Sequence, residues 1–147
     1  MPKPEEELEQ AIRNAEKFHG HLGPFLVIGV RMGTTVRKIL QADTKKETML
    51  EIVVSVPLVT PFSCVIDGIQ VTTQCTIGNQ KLKTENSNNE ITAHARARGS
   101  PANIRITVNP RITKTLIDRI SEGTPNETLA REIARLPEAQ LFVIDKR

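Results

Sequence analysis

Apolar residues between Glu5 and Phe18 fall at Leu8, Ile12, Ala15 and Phe18, the spacing of one buried stripe on a helix, with glutamates in its first turn. The pattern stops at His19-Gly20-His21, where Gly20 can take the left-handed conformation that ends helices. Gly23 then suits an entry turn and Pro24 a first helical position, so a second helix is predicted from about Phe25 to Leu40. Its first half (Phe25, Leu26, Val27, Ile28, Val30, Met32) is apolar nearly all round, which predicts a buried, central helix.

Residues 48–56 alternate Leu50, Ile52, Val54 and Val56 on one face and read as a strand ended by Pro57. Between Pro61 and Cys75 the spacing turns helical again at Val65, Ile66, Ile69 and Gln70, with Ser63 placed to cap. Strands are predicted at 80–83, 91–98 and 104–108, the first two joined by a polar turn over Glu85–Asn89 as part of an antiparallel meander. Helical patterns at 110–120 and 126–136 flank Gly123-Thr124-Pro125, and 140–144 closes the sheet as a last strand. The class is α+β, and without internal repeats or low-complexity linkers the whole chain, 1–147, reads as a single domain.

Composition narrows the partners. With 38% hydrophobic and 25% charged residues the chain has the profile of a globular protein, and no apolar stretch approaches the length of a bilayer span. No secretory leader pattern is present either, so a cytoplasmic protein without a membrane partner is expected. The net charge of +3 comes from scattered basic residues, and with no Trp, no Tyr and four Phe there is no stacking platform for single-stranded nucleic acid. No nucleic-acid partner is expected. Two cysteines do not make a disulfide framework; they leave buried thiols, metal ligands or reactive groups.

His19 and His21 occupy a short joint between two helices, where a scaffold orients side chains that ligands can still reach; equally, they can serve as helix-end residues bonded to loop carbonyls. Cys64 falls in the first turn of its helix, where unpaired N–H groups favour thiolate, as a ligand or a nucleophile. Asp67 lies three residues on, along the same helical face, placed to orient an imidazole or to bind a metal itself. Cys75 is eleven residues from Cys64, about 16 Å along an unbroken helix, so a shared ion requires the chain to turn back. The poor helix formers Thr72-Thr73-Gln74 make a reversal before Cys75 the expectation. His94, in a strand-like segment, is read as a sheet-surface residue, and Asn79 and Lys81 as parts of a solvated turn.

The stretches FHGHLGPFLVIGVRMG and SCVIDGIQVTTQCTIGNQKL resemble the FmdE family of formylmethanofuran dehydrogenase subunits, whose signatures are Phe-His-Gly-His-Leu-x-Pro, Cys-x-x-Asp-x-Ile-Gln and Thr-Gly-Cys-Thr-x-Gly. The match is strong over about residues 17–83. The resemblance implies a metal site, with zinc as the expected ion, at His19, His21, Cys64 and Cys75, with Asp67 and Gln70 as neighbours. It implies a mixed, largely antiparallel sheet covered by helices, similar to the catalytic domain of glyceraldehyde-3-phosphate dehydrogenase, and a homodimer. It also implies a link to the reduction of carbon dioxide to formylmethanofuran in methanogenic archaea, with the molybdenum or tungsten pterin on other subunits of the dehydrogenase. Two positions depart from the family pattern: Gln74 stands where the family usually has Gly in a turn, and Gly23 where many members have a further cysteine.

Three functions compete at this point. The first is the metal-binding subunit, which as an enzyme would use zinc to activate water or polarise a carbonyl while Asp67 moves protons. The second is a thiol-dependent enzyme with Cys64 as nucleophile and His19 or His21 as base. The third is a structural or interaction subunit without metal.

Overall fold

Six helices and five strands follow one another in the computed structural model, which describes residues 3–44 and 49–147. Helix α1 (Pro4–His19) starts with Pro4 in its first turn and Glu5, Glu6 and Glu7 behind it, where their charge complements the positive end of the helix. It ends as expected at Gly20, with φ 104° and its N–H bonded to the Glu16 carbonyl at 2.8 Å. Phe18 departs from the predicted stripe: its side chain is 61% exposed. Leu8, Ile12 and Ala15 continue by one more helical step to position 19 rather than 18, so the inward place goes to His19.

Helix α2 (Pro24–Thr44) is the central one, with Phe25 to Val30, Met32, Val36 and Leu40 buried. It packs on α1, on α3 (Cys64–Thr73), on α5 (Asn126–Arg135), and on the sheet through β3 (Thr92–Ala97) and β4 (Asn103–Val108). Ser63 stands at the cap position of α3 but in helical conformation and without a side-chain capping bond. The helix–helix contact between α2 and α3 is made close by glycine. A Cβ at Gly29 would sit 2.1 Å from the Val65 carbonyl oxygen, and one at Gly68 would sit 2.4 Å from that of Leu26.

The sheet is ordered β2-β1-β3-β4-β5, from β2 (Leu82–Asn86) through β1 (Leu50–Val56) to β5 (Phe142–Lys146). The predicted strand start at Thr48 lies outside the described residues. Strands β3, β4 and β5 form the expected antiparallel run, with Ala95 opposite Ile104 and Ile106 opposite Ile144. The predicted hairpin between the strands at 80–83 and 91–98 does not form. Strand β2 pairs in parallel with β1, Ile52 opposite Leu82, and β3 takes the other side of β1, Ile52 opposite Ala95. The connection from β1 to β2 holds α3, and a helical crossover returns the chain in the same direction, making the pair parallel. The segment at 85–89 therefore carries the chain from an edge strand to the centre of the sheet.

Leu50, Ile52, Val54 and Val56 of β1 and Ala93, Ala95 and Ala97 of β3 are buried on the helix-covered face. His94, Arg96 and Arg105 on the opposite face are exposed, as read for His94. Helices α4 (Pro110–Ser121), which buries Leu116, and the short α6 (Glu138–Leu141) complete the chain. Arg31, within α2, donates to the carbonyls of Ile133 and Leu136 at 2.8 and 2.5 Å and so serves the open carboxyl end of α5. No helix among the described residues is long and apolar enough to cross a membrane.

Gln74 ends α3 with φ 59° and ψ 17°, the left-handed conformation that favours glycine. Its side chain is exposed, so Gln74→Gly removes strain and little else. The variant is expected to be more stable by about 1 kcal/mol, raising the thermal midpoint by roughly 2–4 °C. A lower midpoint on thermal unfolding would show that the glutamine contributes contacts of its own.

Candidate metal centre

Three chain segments meet where α1 ends, α2 begins and α3 begins. His19 is the last residue of α1, His21 lies in the turn after Gly20, and Cys64 opens α3. Their ligating atoms all lie within 4.8 Å of one another. A tetrahedral zinc holds such donors about 3.5 Å apart, so small side-chain rotations would close the set. The two imidazoles stand edge to face, with ring centroids 4.6 Å apart.

Asp67 performs the orienting role considered for it. Its Oδ2 accepts from Nδ1 of His19 at 2.6 Å. With Nδ1 carrying the proton, the lone pair is on Nε2, and Nε2 is buried without any hydrogen-bond partner. A buried imidazole nitrogen without a partner is costly unless something occupies it, and a cation facing it supplies that partner. Asp67 is in turn held by Gln70, whose Nε2 donates to Oδ1 at 3.2 Å, while the backbone N–H of Ile77 donates to Oε1 of Gln70 at 2.9 Å. This carboxylate–histidine arrangement is the one that fixes the tautomer of metal-bound histidines. The Ile77 link has no side-chain signature and was not legible in the sequence.

Cys75 lies elsewhere. The chain does turn at Gln74, but α3 first runs its full length, leaving Cys75 beyond the helix end opposite Cys64. There its Sγ donates to the Leu50 carbonyl at 3.3 Å, and it borders a separate cavity with Arg37 and Lys81. The group that the structure brings together is His19, His21 and Cys64, with Asp67 and Gln70 behind it.

The Cys64 thiol is pushed up from its ordinary value, by burial first and by the Asp67 carboxylate second; a backbone hydrogen bond acts the other way but does not win. The helix N-terminus therefore does not deliver a free thiolate here. A buried thiol with a raised pKa is a poor nucleophile at neutral pH, whereas coordination to a metal removes its proton outright.

The comparisons with known proteins agree with this geometry. The family model FmdE, described as molybdenum formylmethanofuran dehydrogenase operon, matches residues 18–143, from just before His19 to the start of β5. The chain belongs to the FmdE family. Among solved structures, an FmdE-like protein of tungsten formylmethanofuran dehydrogenase, from Syntrophus aciditrophicus, matches 95% of this chain and 71% of its own, with a TM-score of 0.66. At 15% sequence identity that likeness establishes a shared fold. A probable S-adenosyl-L-methionine-binding protein from Archaeoglobus fulgidus is 34% identical over 80 residues, covering 54% of this chain. The chain spans 21% of that relative's length. Within the FmdE family, His19, His21 and Cys64 carry the signature positions that the fold gathers.

Proposed function

We propose that this FmdE-family chain is a zinc-binding accessory protein that works with formylmethanofuran dehydrogenase in the reduction of carbon dioxide to formylmethanofuran, as in methanogenic archaea. The observation that carries the metal reading is the buried, unpartnered Nε2 of His19, in one group with His21 and Cys64 and oriented from behind by Asp67. Family membership supports the association with the dehydrogenase. The reading also places the protein in the cytoplasm as a homodimer, with the molybdenum or tungsten pterin on partner subunits. Within the α+β class we group its fold with the glyceraldehyde-3-phosphate dehydrogenase catalytic-domain type, on the strength of its mixed sheet with helices packed on one face.

His19, His21 and Cys64 would hold the ion, with Cys75 left out because of its place beyond α3. Zinc with three protein ligands supplies a Lewis acid with a position open to water or a carbonyl oxygen. The chain's own residues prepare that chemistry. Asp67 keeps the proton of His19 on Nδ1, Gln70 keeps Asp67 in place, and the surrounding apolar helices exclude bulk water from Cys64.

The thiol-dependent alternative, with Cys64 as nucleophile, is opposed by the raised pKa and burial of that thiol. The association is tested by affinity capture of the tagged chain from a methanogen extract. Recovery of the pterin-bearing dehydrogenase subunits in near-equal amounts supports it. Recovery of the chain alone contradicts the association and leaves the metal site to be judged separately.

A further inference from the structure

Helices α1 and α5 both pack on α2 but scarcely on each other, and the space between them is a cleft of about 970 Å³. That volume lies at the upper end of the range for small-molecule sites, roughly 300–1,000 Å³. Its apolar lining comes from Leu8 and Ile12 of α1, Leu22 and Val27 at the entry to α2, and Ala130 and Ala134 of α5. His21 borders one end, because the first residue of α5, Asn126, lies beside Gly23 and the His21 ring. Arg135, the last residue of α5, borders the other, about 13 Å away along the helix.

Gly23 gives a second, independent observation. It is buried, and its φ lies outside the left-handed region that would demand glycine. A Cβ placed there would meet only Asn126 Cβ and the Cε1 and Nδ1 atoms of His21, all at an ordinary 3.9 Å. Neither strain nor crowding requires glycine at this position. The missing side chain leaves room beside the His21 ring, at the end of the cleft.

We propose that the cleft binds an elongated amphipathic organic molecule, its anionic oxygen head reaching the metal beside His21 and Gly23 and its apolar body lying along Leu8, Ile12, Ala130 and Ala134. The inference rests on the metal reading above. An anionic head fits because zinc with one thiolate and two neutral imidazoles carries a net positive charge. A small molecule fits better than a partner helix because the rims attract one another: Glu9 and Glu16 of α1 face Arg131 of α5. A helix, about 10 Å across with its side chains, would have to part them.

The test uses the cobalt-loaded full chain, titrated with acetohydroxamate and octanohydroxamate while the visible spectrum of cobalt is followed. Octanohydroxamate is expected to bind at least about 30-fold more tightly, from the apolar burial of its chain. Ala134→Trp and Leu8→Glu, both at half-buried positions, are expected to reduce that advantage to a few-fold while leaving the cobalt spectrum and acetohydroxamate binding unchanged. Gly23→Val is expected to block both probes. Equal affinity for the two hydroxamates, or an advantage that survives both cleft variants, overturns the proposal. A cobalt–thiolate spectrum that neither probe perturbs also overturns it while leaving the metal reading intact. Failure of the wild-type chain to take up cobalt removes both.

Discussion

Gly68→Ala is expected to lower stability by about 3 kcal/mol, a fall of roughly 6–12 °C in thermal midpoint for a chain of this size. The added methyl would meet the Leu26 carbonyl oxygen at 2.4 Å and the Val30 backbone nitrogen at 2.5 Å. Both belong to the backbone of α2, so no side chain can rotate away and the helices must part. The same parting would draw Cys64, at the start of α3, away from the histidines before α2, so zinc affinity should fall with stability. Gly78→Ala is the matched control. Its Cβ would meet only Thr76 Oγ1 at 3.8 Å, and the expected change is within about 0.5 kcal/mol. Calorimetric unfolding of the two variants checks the pair, and similar midpoints would refute the close-packed crossing.

His19→Ala is expected to weaken zinc binding by far more than Asp67→Asn, and the gap between them separates ligand from orienting residue. Removing His19 takes away the imidazole whose buried Nε2 has no other partner. Asp67→Asn keeps the ligand but weakens the hydrogen bond that fixes its tautomer, a change that typically costs 10–100-fold in metal affinity. Competition with a chromophoric chelator gives both constants. An Asp67→Asn loss as large as that of His19→Ala would mean that the carboxylate itself binds the ion. No loss in His19→Ala would remove that histidine from the ligand set.

Helix existence and the gathering of the first histidine with Cys64 were legible because they depend on local periodicity. The stripe through Leu8, Ile12 and Ala15 pointed inward at the right helix face, although its next member proved to be His19 and not Phe18. Sheet order was not legible. Alternation in residues 80–83 says that a strand exists but not which strand lies beside it, and the crossover through α3 decided for β1. Cys75 was misplaced for a related reason: weak helix formers at 72–74 did not stop α3 early, because Thr73 is held by its hydroxyl bond to Ile69 and by burial. The raised thiol pKa of Cys64 needed three-dimensional burial, which outweighs the N-terminal field that the sequence alone shows. The glycine-mediated crossing did leave a trace, since Gly29 and Gly33 are four apart on one face of α2 and oppose Gly68 and Thr72.

The central claim is that His19, His21 and Cys64 hold one metal ion. Elemental analysis of the chain, purified without added metal and again after reconstitution with zinc, tests it against Cys64→Ala treated identically. The account predicts about one zinc per native chain and next to none in the variant, since the ion would lose its only thiolate. Native protein that holds no metal even after reconstitution, or a variant that retains a full complement, would contradict it.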